Sequence, residues 1–349
     1  GTYFSTSDFA ADGCDRLAFN SNQPDSVNFQ TGTFVNRTTD RQPEDSGQFG
    51  LALRKYVSSV DTEFGAYAMN YHSRIPLVGL KKPSAGNATF GPNTDAAYFI
   101  DYPEDQTVFG LSFATNVGGW AWSGEVSRIN DRPLQINATD LLRSGLAGGD
   151  PTANPLGSGP IAATAPADLN NRIAGAAAGS RVAGFTPFDV TQVQTTFIKT
   201  FDRVLGSNNI VLVAEVAAVM VDDLPDPSDQ TNIRYGRSAV FGSGFNQSKA
   251  GFTTDFSWGY RLRSRATYRN VFGNVDLIPS LAWSDDVDGW SPEPAQAFNE
   301  GRQSLGLGMT FEFDANTTAS VNYTTFTNAA DFDVLRDRDF LSLSASYSF

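Results

Sequence analysis

An all-β fold, in the form of a transmembrane antiparallel up-and-down β-barrel, is predicted by three features of this 349-residue sequence. Apolar residues alternate with small or polar ones at period two, connections are short and long in turn, and no apolar run is long enough for a spanning helix. Period two places one set of side chains on each face of a strand. A chain that is apolar outside and polar inside averages to a mildly polar whole, in keeping with a mean hydropathy of -0.26 and 18% charged residues. The longest apolar run, Ile210 to Val221, is twelve residues broken by Glu215, against the ~20 that a membrane helix needs.

The strands are read backwards from the end. In Phe340 to Phe349 the residues Leu341, Leu343, Ala345, Tyr347 and Phe349 alternate with serines. In Ser304 to Phe313 the odd positions are apolar and the even ones small or polar. Eleven segments follow this rule: Phe340–Phe349, Thr318–Phe326, Arg302–Phe313, Val275–Ser284, Asp255–Tyr268, Asn209–Val221, Gln192–Arg203, Trp120–Ile129, Thr107–Ala114, Thr62–His72 and Gln48–Tyr56. Most are near the ~9–11 residues of a tilted membrane strand. Short turns fall at 57–61, 115–119, 205–208, 270–274 and 314–317; long connections fall at 73–106, 130–191, 222–254, 285–301 and 327–339. That parity puts the short turns on the periplasmic side and the long loops outside.

Eleven is odd, whereas bacterial barrels are even, and an open edge in lipid leaves backbone groups unsatisfied. The expectation is therefore that this is the C-terminal part of a larger even-stranded barrel of 14 or more strands, lacking its N-terminal strands. Further strands could otherwise lie in Tyr3–Phe9, Val27–Val35 or Ala96–Tyr102. Residues 1–349 read as a single barrel domain, with 130–191 an extracellular or plug-like loop. That loop carries a short helix at Thr139–Leu146, capped by Thr139 or Asp140 and ended near Gly148-Gly149, and a weaker helical stretch at Asp168–Ala178.

Composition excludes several functions. A net charge of -13 argues against nucleic acid, which needs a basic footprint. One cysteine, Cys14, and one histidine, His72, rule out a disulfide framework and a Cys-based zinc site, and leave a catalytic triad or His-rich metal centre poorly supplied. No cofactor, no metal and no enzymatic activity are expected. His72 reads as a structural residue at a strand end near Arg74. The acidic clusters Asp101/Glu104/Asp105, Asp222/Asp223/Asp226/Asp229 and Asp285/Asp286/Asp288 lack EF-hand spacing and read as solvated loop acids. No basic region and apolar core follow Gly1, so any signal peptide lies outside this sequence.

Several stretches together resemble a Gram-negative outer-membrane β-barrel family catalogued as domain of unknown function 1302. They are Gly47–Arg54, Glu63–Gly65 with Asn70–Arg74, Tyr98–Asp105, Gly119-Trp120 with Gly124–Ser127, Pro133–Gln135, Phe256–Arg261, and Asp337–Phe340 leading to Phe349. The resemblance spans nearly the whole chain. It implies an outer-membrane barrel that handles hydrophobic compounds alongside periplasmic and inner-membrane partners of the RND exporter type, and it supplies no catalytic residues.

Tyr347 and Phe349 match the terminal aromatic pattern read by the barrel-assembly machinery, beside the plainer role of a lipid-facing last strand. Arg261, Arg263 and Arg265 share one face of their strand. Because Arg facing lipid costs ~2–4 kcal/mol at mid-bilayer, they are assigned to the lumen with Glu125, Glu215, Glu312 and Arg54. The stripe reads either as a filter for anionic groups such as a carboxylate or as an internal ion-pair network with those four residues. Val211, Val213, Ala217, Val219 and Val221 would share the lumen side, against a plug or along a path for hydrophobic molecules. The expected function is an outer-membrane channel for passive passage of a hydrophobic or amphipathic compound, contacting outer-membrane lipid and lipopolysaccharide. A non-conducting scaffold barrel is the alternative, and an outer-membrane hydrolase fits less well.

Overall fold

The computed structural model describes residues 13, 15–18, 24–32, 34–84, 95–153, 163, 165–238, 241, 250–294, 296–328 and 330–349. Alternation and turn chemistry produce β3 (Phe49–Val57), β4 (Thr62–Tyr71), β7 (Gln106–Val117), β8 (Trp120–Gln135), β10 (Phe185–Asp202) and β11 (Asn209–Val221). They continue as β12 (Phe256–Phe272), β13 (Val275–Asp288), β14 (Gln303–Glu312), β15 (Thr317–Asn328) and β16 (Phe340–Tyr347). These form one sheet of eleven strands, each paired antiparallel with its neighbour in the order of the chain. All eleven segments read from the alternation are strands of this sheet, and the five short turns lie together at one end. One of them, between β7 and β8, is the pair Gly118-Gly119, with φ of 58° and 78°. A two-residue hairpin turn of this hand requires positive φ at both positions, which glycine adopts without strain.

Register fixes two faces. Leu53, Leu111, Trp122, Leu281, Leu307, Tyr323 and Leu343 belong to one of them, and all are exposed. On this apolar face Trp122 stacks on Phe197 at 5.7 Å and meets Phe113 edge-on at 4.8 Å, while its indole N–H donates to Thr195 Oγ1 at 2.8 Å. The other face is mixed: charged and small polar residues alternate through the same ladders.

A second sheet, in the order β1-β2-β6-β5-β9, is built from β1 (Arg16–Ala18), β2 (Phe34–Arg37), β5 (Leu77–Lys81), β6 (Ala97–Asp101) and β9 (Arg181–Val182). With α1 (Asp25–Thr31), α2 (Ala138–Leu146) and α3 (Ala167–Gly175) it forms a cap. Leu80, Leu141, Leu169, Ile173 and Val182 pack in one buried cluster with Val190, Val219 and Val221 of the mixed face. Leu17, Val35, Val78, Tyr98, Ile100 and Leu146 make the cluster behind it. Gly184, between β9 and β10, lets the chain pass against the Val78 carbonyl, where any Cβ would collide.

Three sequence expectations are corrected. Val27–Val35 is not a strand of the large sheet: Asp25–Thr31 is helical after Pro24, and β2 begins only at Phe34. Ala96–Tyr102 does form a strand, but in the cap, where it is buried on both faces. The 130–191 connection is shorter than read, because β8 runs on to Gln135 and β10 starts at Phe185. Its helices begin one residue earlier than expected, and the cap of α2 is Asn137, whose side chain accepts from the Asp140 N–H at 3.1 Å. Tyr3–Phe9 and Cys14 lie outside the described residues. Among the described residues β3 and β16 are the two edges of the large sheet, and they do not pair with each other.

Candidate functional site on the mixed face

Ladder pairing places all seven charged residues singled out in the sequence on the mixed face. Glu215 stands opposite Arg261 and Thr196, Glu125 opposite Ser112 and Gln194, and Arg54 opposite Gly65. Arg263 faces Val213 and Ala282, Arg265 faces Val211 and Ser280, and Glu312 faces Asp276 and Thr318. They do not form the single ion-pair network considered from the sequence. Arg261 is held instead by Asp286, with Nη2 to Oδ1 at 2.5 Å. Asp286, read as a solvated loop acid, is buried; it also accepts from the Asn299 N–H at 2.9 Å and lies 3.8 Å from Arg302. Arg302 in turn grips Asp333 with two hydrogen bonds of 3.0 and 2.7 Å. Arg261 is therefore a structural clamp that ties β12 to β13 and, through the Ala297 carbonyl, to the long loops at this end of the sheet, which form a roof.

The remaining residues behave separately. Glu215 accepts from Gln194 at 3.0 Å and Thr196 at 3.4 Å rather than from Arg261. Arg54 donates to the Tyr67 hydroxyl at 3.2 Å. Arg265 approaches Glu312 only to 3.8 Å, with both side chains well exposed. Among the described residues Arg263 has neither an ion-pair nor a hydrogen-bond partner. Arg263 and Arg265 overlook a groove of about 550 Å³ lined by Val211, Val213, Ser280, Gly306, Gly308 and Asn322. The groove exists because β14 carries glycines on this face: a Cβ on Gly308 would run into Ser280 Oγ and come within 2.6 Å of Asn322 Oδ1. A smaller groove of about 220 Å³ is acidic, lined by Glu63, Glu125, Ser112, Ser123, Gln194 and Thr196. Glu63, Glu125 and Glu215 thus lie on β4, β8 and β11 and the stripe arginines on β12, with Arg54 beyond the acids on β3 and Glu312 beyond the arginines on β14.

The valine wall of β11 divides in two. Val219 and Val221 are buried against the cap, whereas Val211 and Val213 line the open groove. Contact with a packed element, one of the two readings of that wall, holds for Val219 and Val221; Val211 and Val213 have no such cover from the cap cluster.

The cap and roof hold two buried acids whose surroundings the sequence did not reveal, Asp140 reading there only as a candidate helix cap. Asp140, wholly buried at the start of α2, is gripped by Arg234 through hydrogen bonds of 2.9 and 2.8 Å. Burial pushes its carboxyl up to about 6, against the opposing pull of Arg234. Arg234 lies in a long loop without periodicity, so no pattern pointed to it. Glu293 packs beside Gly236, and burial alone pushes its carboxyl from 4.5 up to about 7. The folded roof therefore favours the neutral acid. Its contribution to stability is full below the unfolded value and is lost as pH rises through about 7. Amide exchange across 289–302, corrected for intrinsic rates, is expected to accelerate from about pH 5 to about pH 8, and Glu293→Gln to remove that dependence. A flat profile in the unaltered protein would refute it.

His72, at the end of β4, accepts from the Asp105 N–H at Nδ1, 3.1 Å away, and Nε2 lies 2.7 Å from the Ser46 carbonyl. Both ring nitrogens are taken by backbone groups, a structural clamp near the strand end. Among the described residues no three His, Cys, Asp or Glu side chains are grouped to hold a metal, and no helix is long and apolar enough to cross a membrane. Tyr347 ends β16, and both it and Phe349 are exposed. No curated protein matches the chain. The model of the family described as "Protein of unknown function (DUF1302)" matches residues 1–349, and the chain belongs to that family.

Proposed function

We propose that this chain forms the wall of a Gram-negative outer-membrane channel and gives passive passage to a hydrophobic or amphipathic compound. The observation that carries the reading is the two-faced large sheet, exposed and apolar on one side, charged and grooved on the other. A soluble monomer rarely exposes an apolar patch above a few hundred Å², whereas lipid is the natural cover for a face eleven strands wide. Trp120 and Arg128 bracket the apolar band on β8. At ~3.3 Å per residue the strand between them is on the order of 26 Å long, which at the ~40° tilt of barrel strands covers about 20 Å of the ~25 Å apolar band. Near the short turns, Lys199 on the apolar face lies 5.1 Å over the Trp120 ring and 5.6 Å over that of Phe201, as an interfacial lysine does. At the long-loop end Arg128 pairs with Asp189 and Asp222, each at 2.8 Å.

In this reading the mixed face borders the lumen, and Tyr347 and Phe349 are the assembly signal presented to the barrel-assembly machinery. Outer-membrane lipid and lipopolysaccharide cover the apolar face, and the periplasmic and RND-type partners follow from the family resemblance. A deletion strain should differ several-fold from its parent in the rate at which intact cells take up or expel the hydrophobic dye N-phenylnaphthylamine. Identical uptake and expulsion would sink the channel reading. The burial of Val190, Val219 and Val221 against the cap favours a second reading, a non-conducting scaffold barrel. Unchanged dye movement, combined with recovery of the protein in outer membranes, would support it.

A further inference from the structure

Resting on the channel reading above, we propose that the groove between β11 and β15 is a binding site for a single-tailed amphiphile with an anionic head, held by Arg263 and Arg265. Four observations converge on this. Of the three stripe arginines, Arg261 is committed to Asp286, which leaves the other two for a ligand. Among the described residues Arg263 has no partner, and Arg265 makes only a loose contact at 3.8 Å with Glu312. A guanidinium presents paired N–H donors in a plane that matches a carboxylate, and two of them flank the same space. Ser280 and Asn322 add polar groups beside them, while Val211, Val213 and Ala282 supply an apolar flank.

The volume of about 550 Å³ lies within the ~300–1,000 Å³ of small-molecule sites. Glycines at 306 and 308 keep the floor free of side chains. The acidic groove with Glu63 and Glu125 sits across the sheet, on the far side of β11. An anion is repelled from that side and drawn to β12. The head therefore rests on Arg263 and Arg265, and the tail lies along the valines of β11.

The test is binding of laurate to the protein in phosphatidylcholine nanodiscs, followed by calorimetry. Dodecanol serves as the uncharged control and acetate as the tailless one. Saturable laurate binding is expected, at least tenfold tighter than either control. R263Q/R265Q should weaken it tenfold or more, while R263K/R265K, which keeps the charge, should retain most of it. Equal binding of laurate and dodecanol, or full affinity in R263Q/R265Q, would overturn the proposal. Nanodiscs containing phosphatidylglycerol distinguish the source of the head. Unchanged laurate affinity supports a free amphiphile, whereas a tenfold loss means that bilayer lipid fills the site and refutes the free one. Failure of this site is separable from failure of the channel reading. Loss of laurate binding with dye movement intact removes only the site, and laurate binding without any dye movement removes only the passage.

Discussion

Alanine in place of Asp140 is expected to destabilise the cap by about 3–5 kcal/mol. The size follows from what is left behind. Arg234 is nearly as buried as its partner, and its guanidinium also lies 4.9 Å from the Phe252 ring. Arg143 and Arg237 stand close enough to lower the Asp140 pKa as well. Removing the carboxylate therefore strands a positive charge among other positive charges, at the first turn of α2. Leu141, the next residue, packs in the cluster that joins the cap to β10 and β11. The loss should appear as cap release while the wall strands persist: limited proteolysis of loop 222–255 should speed up by two orders of magnitude or more, with the β-sheet circular dichroism unchanged. Asp140→Leu combined with Arg234→Met should recover most of the loss, since a packed apolar pair often replaces a buried ion pair without cost. A loss below about 1 kcal/mol in Asp140→Ala would mean that the pair is solvated in solution.

Leu307→Arg should separate a lipid-facing surface from a water-facing one. Leu307 sits mid-strand on β14 and is 47% exposed. In water, a change at so open a position falls within about 0.5 kcal/mol. Against hydrocarbon it costs ~2–4 kcal/mol, enough to deplete the protein from the outer-membrane fraction. Thr324→Arg is the control: it lies on the mixed face, opposite Gly306, and should be tolerated there. Equal effects of the two in urea unfolding from bilayers, or normal recovery of Leu307→Arg in outer membranes, would contradict the lipid-facing assignment.

The wall was legible because period two survives any register, and eleven strands of eight or more residues each carry enough repeats to show it. Their far ends were not. In β8 and β10 the alternation was lost where Pro133 stands opposite Pro187, and a bulge lies between Phe188 and Val190; the strands nevertheless continue into the cap. The cap does not read as a sheet, although Ala96–Tyr102 reads as a possible strand, since its strands run only two to five residues, too short for periodicity to separate from a buried loop. Within the site, alternation was enough to sort Arg263 and Arg265 from Leu262. It did not pick Asp286 out of Asp285-Asp286-Asp288, because the strand read in the sequence ends at Ser284; β13 runs on to Asp288, and unbroken alternation brings Asp286, opposite Gly259, to the face of Arg261.

The composition of the cap sheet bears on the order in which the molecule assembles. Its strands arrive from three separate stretches: β1 and β2 before the first wall strand, β5 and β6 between β4 and β7, and β9 between β8 and β10. Each wall hairpin joins near neighbours, so its closure entropy is small, whereas uniting three distant stretches is favourable only once the wall already holds their roots together. The cap sheet is thus a late event. It is also a check on what came before: a one-residue slip between β10 and β11 would turn Val219 and Val221 to the opposite face and leave Leu80, Leu169 and Val182 without a surface to close on. The cap acts as a proofreader of the wall, because only a correctly registered wall presents it with somewhere to dock.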